Sequence, residues 1–68
     1  METTYDLIIE WTGEKYLIHY GKPSEHGFTA TLADEFTLGA SKCVVWLVNC
    51  ELTPEAVQRI VSAALRKL

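Results

Sequence analysis

The chain has 68 residues, of which 49% are hydrophobic, and its formal net charge at pH 7 is −3. This length predicts one compact domain over residues 1–68, near the size at which folded domains are only marginally stable. The acidic balance argues against general nucleic-acid binding, whose affinity comes from lysine and arginine side chains that neutralise phosphates.

The first predicted element is a β-hairpin. Residues 5–11 and 15–20 alternate between two faces, which is the period of half-buried strands. A two-residue loop of type II′ at Gly13-Glu14 would join the two strands and set their register. That register stacks large side chains across the strands. It pairs Trp11 with Tyr16, Ile9 with Ile18 and Leu7 with Tyr20.

The middle of the chain has a less regular pattern. Residues 21–27 form a loop by composition, because proline and two glycines interrupt any apolar period. Residues 28–32 alternate as a third strand. Residues 33–35 either turn the chain into a short fourth strand or belong to one helical turn, because alanine, aspartate and glutamate are poor strand formers. A turn at residues 39–42 follows.

Two strong elements complete the pattern. The run from Cys43 to Val48 is apolar at every position, which predicts a strand buried on both faces. Thr53 and Pro54 predict the N-cap and the first residue of an amphipathic helix. The sequence therefore predicts an α+β fold, a small antiparallel β-meander of three to five strands with one C-terminal amphipathic helix packed on one sheet face.

One helix can cover only one face of a sheet. The opposite apolar face is therefore expected to be an interaction site, covered by a second copy in a homodimer or by a protein partner. An acidic stripe along the first strand and its turn would complement a basic protein. The candidate interaction residues are the apolar Trp46, Val44 and Val48, the acidic Asp6, Glu10 and Glu14, and the aromatic pair Trp11 and Tyr16.

The two cysteines are expected to be free thiols in a reducing compartment. Cys43 and Cys50 are seven residues apart, which in a continuous strand puts them on opposite faces and about 23 Å apart. That separation is too great for a disulfide between them. Cys50 lies near the end of the strand, where an intermolecular disulfide across a dimer stays open as an alternative.

We assign no catalytic, cofactor-binding or metal-binding residue. His19 and His26 share the chain with two cysteines, but they lack the close ligand pairs of a zinc module. A thiol nucleophile is unsupported, because Cys43 enters an apolar strand that would raise the pKa of its thiol. No apolar run approaches the roughly 20 residues of a membrane-spanning helix. With residues 1–4 unlike a signal peptide, we expect a soluble, cytoplasmic protein.

The leading hypothesis is a non-enzymatic protein-interaction module. We expect a homodimer that acts as a small regulator, adaptor or inhibitor of a larger protein, as in bacterial or phage accessory proteins. The alternative is a single-stranded nucleic-acid-binding protein with an aromatic stacking platform and basic residues that contact phosphates. Its platform would be Trp11, Tyr16 and Tyr20, with Arg59, Arg66 and Lys67 on the phosphates. A thiol or metal enzyme is the least favoured reading.

Overall fold

A computed structural model describes residues 3–67. The elements in chain order are β1 (Thr3–Trp11), β2 (Tyr16–Tyr20), α1 (Pro23–His26), β3 (Thr31–Leu38), β4 (Ser41–Val48) and α2 (Pro54–Leu65). The four strands form one sheet in the order β2-β1-β4-β3. The predicted small α+β fold with a C-terminal helix is confirmed.

The strand order differs from that of a meander. β1 pairs with β2 and β3 pairs with β4 in antiparallel fashion, but β1 and β4 are parallel neighbours at the centre of the sheet. The meander order is therefore wrong. The physical reason for this order is burial, because the two interior positions of the sheet bury the Leu-Ile-Ile segment of β1 and the apolar run of β4 on both faces.

The first hairpin has the predicted register. Trp11 pairs with Tyr16 and Leu7 with Tyr20, and the pairing runs through every residue between them. Gly13 adopts a φ of 100°, which the tight loop requires. The Thr12 hydroxyl accepts hydrogen bonds from the backbone nitrogens of residues 14 and 15 at 3.3 Å each, so a side chain closes the turn.

The middle of the chain corrects two predictions. Residues 33–35 are neither a turn nor a helix but lie within β3, which bulges between Leu32 and Asp34. Pairing of Asp34 and Glu35 with β4 outweighs their low strand propensity, and Ala33 lies in the bulge. The predicted loop at residues 21–27 contains the short helix α1. The turn before β4 is confined to residues 39–40, since β4 begins at Ser41.

α2 begins where the sequence predicts. The Thr53 hydroxyl accepts a hydrogen bond from the backbone nitrogen of Ala56 at 3.2 Å, and Pro54 is the first helical residue. Val57 and Val61 of α2 are buried and pack against one face of the sheet. The sheet residues of this core are Leu7, Ile9, Cys43, Val45 and Leu47. Within residues 3–67, neither helix is long and apolar enough to span a bilayer.

The opposite side of the sheet, here called the outer face, is partly covered by the connection from β2 to β3. This connection must cross the sheet because the two strands occupy opposite edges. The rings of His26 and Phe28 lie 5.6 and 4.9 Å from that of His19, which is the cross-strand partner of Ile8. Ile8 has no exposed surface. The expectation of a fully uncovered face is therefore only partly met.

Candidate interaction surface

Five of the eight candidate interaction residues share the outer face. β1 and β4 are parallel, and their register aligns the outward side chains of the two strands. The aligned pairs are Asp6 with Val44, Ile8 with Trp46 and Glu10 with Val48. The alternation of the two strands thus brings together an acidic row and an apolar row that the sequence analysis treated separately.

An apolar patch remains open on the outer face, and we call Leu32, Val44 and Trp46 the outer patch. Leu32 is the cross-strand partner of Trp46 and is 53% exposed. Val44 and Trp46 are each partly exposed, whereas Val48 is buried. Sequence reasoning missed Leu32, because it placed this residue in the apolar row of the predicted third strand. Only the bulge in β3 turns Leu32 outward while Ala33 and Phe36 pack against the core.

Carboxylates border the outer patch. Asp6 on β1 and Glu35 on β3 flank Val44 from its two neighbouring strands. Glu35 also forms an ion pair with Lys42, with Oε1 3.4 Å from Nζ, and both side chains are about half exposed. Exposed ion pairs of this kind contribute little to stability. Because the rim has two carboxylates, Asp6 and Glu35, against the ammonium group of Lys42, it carries more negative than positive charge.

A histidine cluster fastens the β2–β3 connection to the outer face. His19 Nε2 lies 2.8 Å from Glu10 Oε1, and the His19 ring contacts those of His26 and Phe28. His26 Nε2 lies 2.9 Å from the backbone oxygen of Tyr20. Since a carbonyl can only accept, this histidine nitrogen donates. The cluster explains why part of the outer face is covered.

The three other candidate residues lie away from the outer patch. Trp11 and Tyr16 pack against each other on the helix side of the hairpin, with ring centroids 4.7 Å apart. Glu14 lies exposed in the hairpin turn. Tyr16 and Tyr20 are 45% and 44% exposed. They help to line an open groove of about 500 Å³ between β2 and α2, here called the β2 groove, together with Leu17, Ile18, Ile60, Ala63, Ala64 and Lys67.

Both cysteines are free thiols on the helix side of the sheet. Cys43 is buried, and desolvation raises the pKa of its thiol, as its apolar strand predicts. Cys50 packs against the same core and its Sγ lies 3.7 Å from the backbone oxygen of Ile9. The prediction of opposite faces is wrong, because Asn49, with a φ of 60°, ends the alternation of β4. Residues 3–67 contain no group of three or more metal-ligating side chains suited to a metal ion.

These features define a small α+β protein with a mixed four-stranded sheet, a helix on one face and an acid-rimmed apolar patch on the other. Comparisons of the chain with protein-family models, curated proteins and solved structures find no match.

Proposed function

We propose that this chain is a non-enzymatic protein-interaction module that forms a homodimer and acts as a small regulator, adaptor or inhibitor of a larger protein. The observation that carries the proposal is the exposure of Leu32 beside Trp46 on the outer face. Burying a leucine side chain stabilises a complex by about 1.5–3 kcal/mol. Tryptophan is among the residues that contribute most to protein interfaces.

The rim of the outer patch indicates the chemistry of the partner. Asp6 and Glu35 flank the patch, and Lys42 forms an ion pair with Glu35. A protein surface with an apolar centre and a basic border would complement this arrangement, because opposite charges guide association and disfavour wrong partners. The two free thiols suit a reducing environment, so we place the protein in the cytoplasm.

The test is affinity capture from extracts of cells that produce the protein. The baits are the wild type, Leu32→Asp and the matched control Thr37→Asp, which adds the same charge to the same strand and face. We expect a protein that the wild type and Thr37→Asp retain and that Leu32→Asp loses. Purified, that protein should bind the wild type with at least tenfold higher affinity than Leu32→Asp. Equal capture by all three baits would contradict the role of the outer patch.

Single-stranded nucleic-acid binding is the second candidate. It is favoured by the two exposed tyrosines of β2, Tyr16 and Tyr20, which share the β2 groove with Lys67. Stacking on such rings tolerates any base sequence, and phosphate contacts make the affinity depend on salt. Fluorescence anisotropy with a labelled oligonucleotide at about 50 mM salt tests it. An unchanged signal at high protein concentration would remove this candidate.

A further inference from the structure

The two free edges of the sheet differ in how they are protected against pairing with another strand. β3 carries a bulge between Leu32 and Asp34 and two acidic residues in succession, Asp34 and Glu35. Bulges and charges are devices by which natural sheets prevent edge-to-edge association. β2 has neither, since its sequence Tyr-Leu-Ile-His-Tyr contains no acidic residue, lysine, arginine or proline and pairs with β1 without a shift. The unprotected edge is therefore β2.

The backbone of β2 presents a regular set of hydrogen-bonding groups to the outside. Thr12 N donates to Lys15 O at 3.0 Å, and Gly21 N donates to Asp6 O at 2.9 Å. In an antiparallel pair, hydrogen-bonded and non-hydrogen-bonded residues alternate. The N–H and C=O groups of Tyr16, Ile18 and Tyr20 therefore point away from β1. His26 contacts the Tyr20 oxygen, which keeps a second lone pair for another donor.

We propose that β2 pairs antiparallel with β2 of a second copy, about a two-fold axis at Ile18. This inference rests on the homodimer of the proposed function and assigns its contact to the sheet edge. It places Ile18 opposite Ile18 and Tyr16 opposite Tyr20 of the second copy. The two sheets become one sheet of eight strands, and the two β2 grooves adjoin each other. Main-chain hydrogen bonds supply affinity in such strand addition, and neighbouring side chains supply specificity.

Charges at the ends of β2 favour this register. Glu14 falls opposite Lys22 of the second copy. Lys15 falls opposite Gly21 of the second copy. The Glu25 carboxylate lies close to Gly21, because a Cβ atom added at Gly21 would be only 2.8 Å from Glu25 Oε2. Each lysine that brackets β2 thus meets a carboxylate of the second copy, and the two-fold axis repeats both contacts. Parallel pairing in register would instead place Lys15 beside Lys15 of the second copy and Lys22 beside Lys22 of the second copy. The antiparallel arrangement is therefore electrostatically self-complementary.

The outer patch stays free in this dimer. Leu32 and Trp46 lie on β3 and β4, and β1 separates both strands from β2. The dimer therefore presents two outer patches on one face of a continuous sheet. A partner with two matching sites would bind more tightly through multivalency than a single patch allows.

Light scattering across the micromolar range, with reductant present, tests the register through a charge exchange. We expect a wild-type dimer and a dissociation constant raised about tenfold in Glu14→Lys, because two attractions become repulsions. The double variant E14K/K22E exchanges the charges and should return the constant to within about threefold of wild type. Glu35→Lys makes the same charge change on the opposite edge of the sheet and should leave the dimer intact.

Amide hydrogen exchange supplies a second measurement on the unaltered protein. The amides of Tyr16, Ile18 and Tyr20 should gain protection as concentration rises. Those of Leu17 and His19 face β1 and should be protected at every concentration.

A wild-type dimer that Leu32→Asp dissociates and Glu14→Lys leaves intact would overturn edge pairing and assign the homodimer to the outer face. A monomer throughout the concentration range would overturn both edge pairing and the homodimer. Capture of a partner through the outer patch is measured separately, so it survives either result.

Discussion

At the scale of single residues, Asn49 shows how one backbone conformation redirects a segment. Its positive φ ends β4 and brings Cys50 to the helix side, next to the core that contains Cys43. Asparagine adopts this conformation more readily than most residues. The apolar run before it predicts the strand but not the point at which alternation stops, because the sequence pattern alone does not report φ.

The buried thiol of Cys43 makes stability depend on pH. Burial raises its pKa above the ordinary value, so in the alkaline range the unfolded chain ionises while the folded protein keeps the proton. The stability that the protonated, buried thiol contributes is fully present below the ordinary thiol pKa. It is lost as pH rises through the raised pKa of the folded protein.

We therefore expect the urea midpoint of the wild type to fall more steeply between about pH 8.5 and pH 10 than that of Cys43→Ala. The variant serves as the reference because the two proteins differ only in this side chain. Parallel pH profiles would contradict a raised thiol pKa.

At the scale of elements, local patterns predicted the β1–β2 hairpin, β4 and the start of α2. In each case the signal lies within a few residues, such as Gly13 in the hairpin loop or Thr53 before the helix. β3 was predicted only in part, as a strand over residues 28–32 and a short fourth strand, because Ala33, Asp34 and Glu35 disfavour strands; the structure pairs Asp34 and Glu35 with β4 and places Ala33 in the bulge. A partner strand provides information that the local sequence does not contain.

The cap of α2 predicts a measurable loss on substitution. The Thr53 hydroxyl satisfies the backbone nitrogen of Ala56, which otherwise has no partner in the first turn of the helix. We expect Thr53→Ala to lower the free energy of unfolding by about 1 kcal/mol. Thr53→Ser retains the hydroxyl and should lose less than half as much. Chemical denaturation followed by tryptophan fluorescence measures both, and equal losses would assign the effect to the methyl group.

At the scale of the whole molecule, the parallel pairing of β1 with β4 was not predictable. It joins segments that are 38 positions apart, Thr3 with Ser41 at its start, and no local pattern specifies such a contact. The crossing of the outer face by the β2–β3 connection follows from it. For the same reason, the sequence identified the apolar and acidic residues of the candidate surface but neither its partial cover nor the exposure of Leu32.

α2 covers the core on the helix side of the sheet, so its buried face should control folding of the whole domain. Val61 has no exposed surface and packs against the sheet. An aspartate there would bury an unpaired charge. We expect Val61→Asp to lose the native circular dichroism and the native tryptophan fluorescence together. Arg59→Asp, at an exposed position of the same helix, should keep both signals. A folded Val61→Asp would mean that the sheet is stable without this cover.

The central position of β1 also constrains how the protein matures on the ribosome. β1 is translated before every other described element, yet its neighbour β4 follows about 40 residues later and the covering helix later still. Until α2 has been synthesised, Leu7 and Ile9 therefore lack the cover that they have in the folded protein. Native structure must form after translation has passed α2, and until then the nascent chain offers an apolar strand to chaperones.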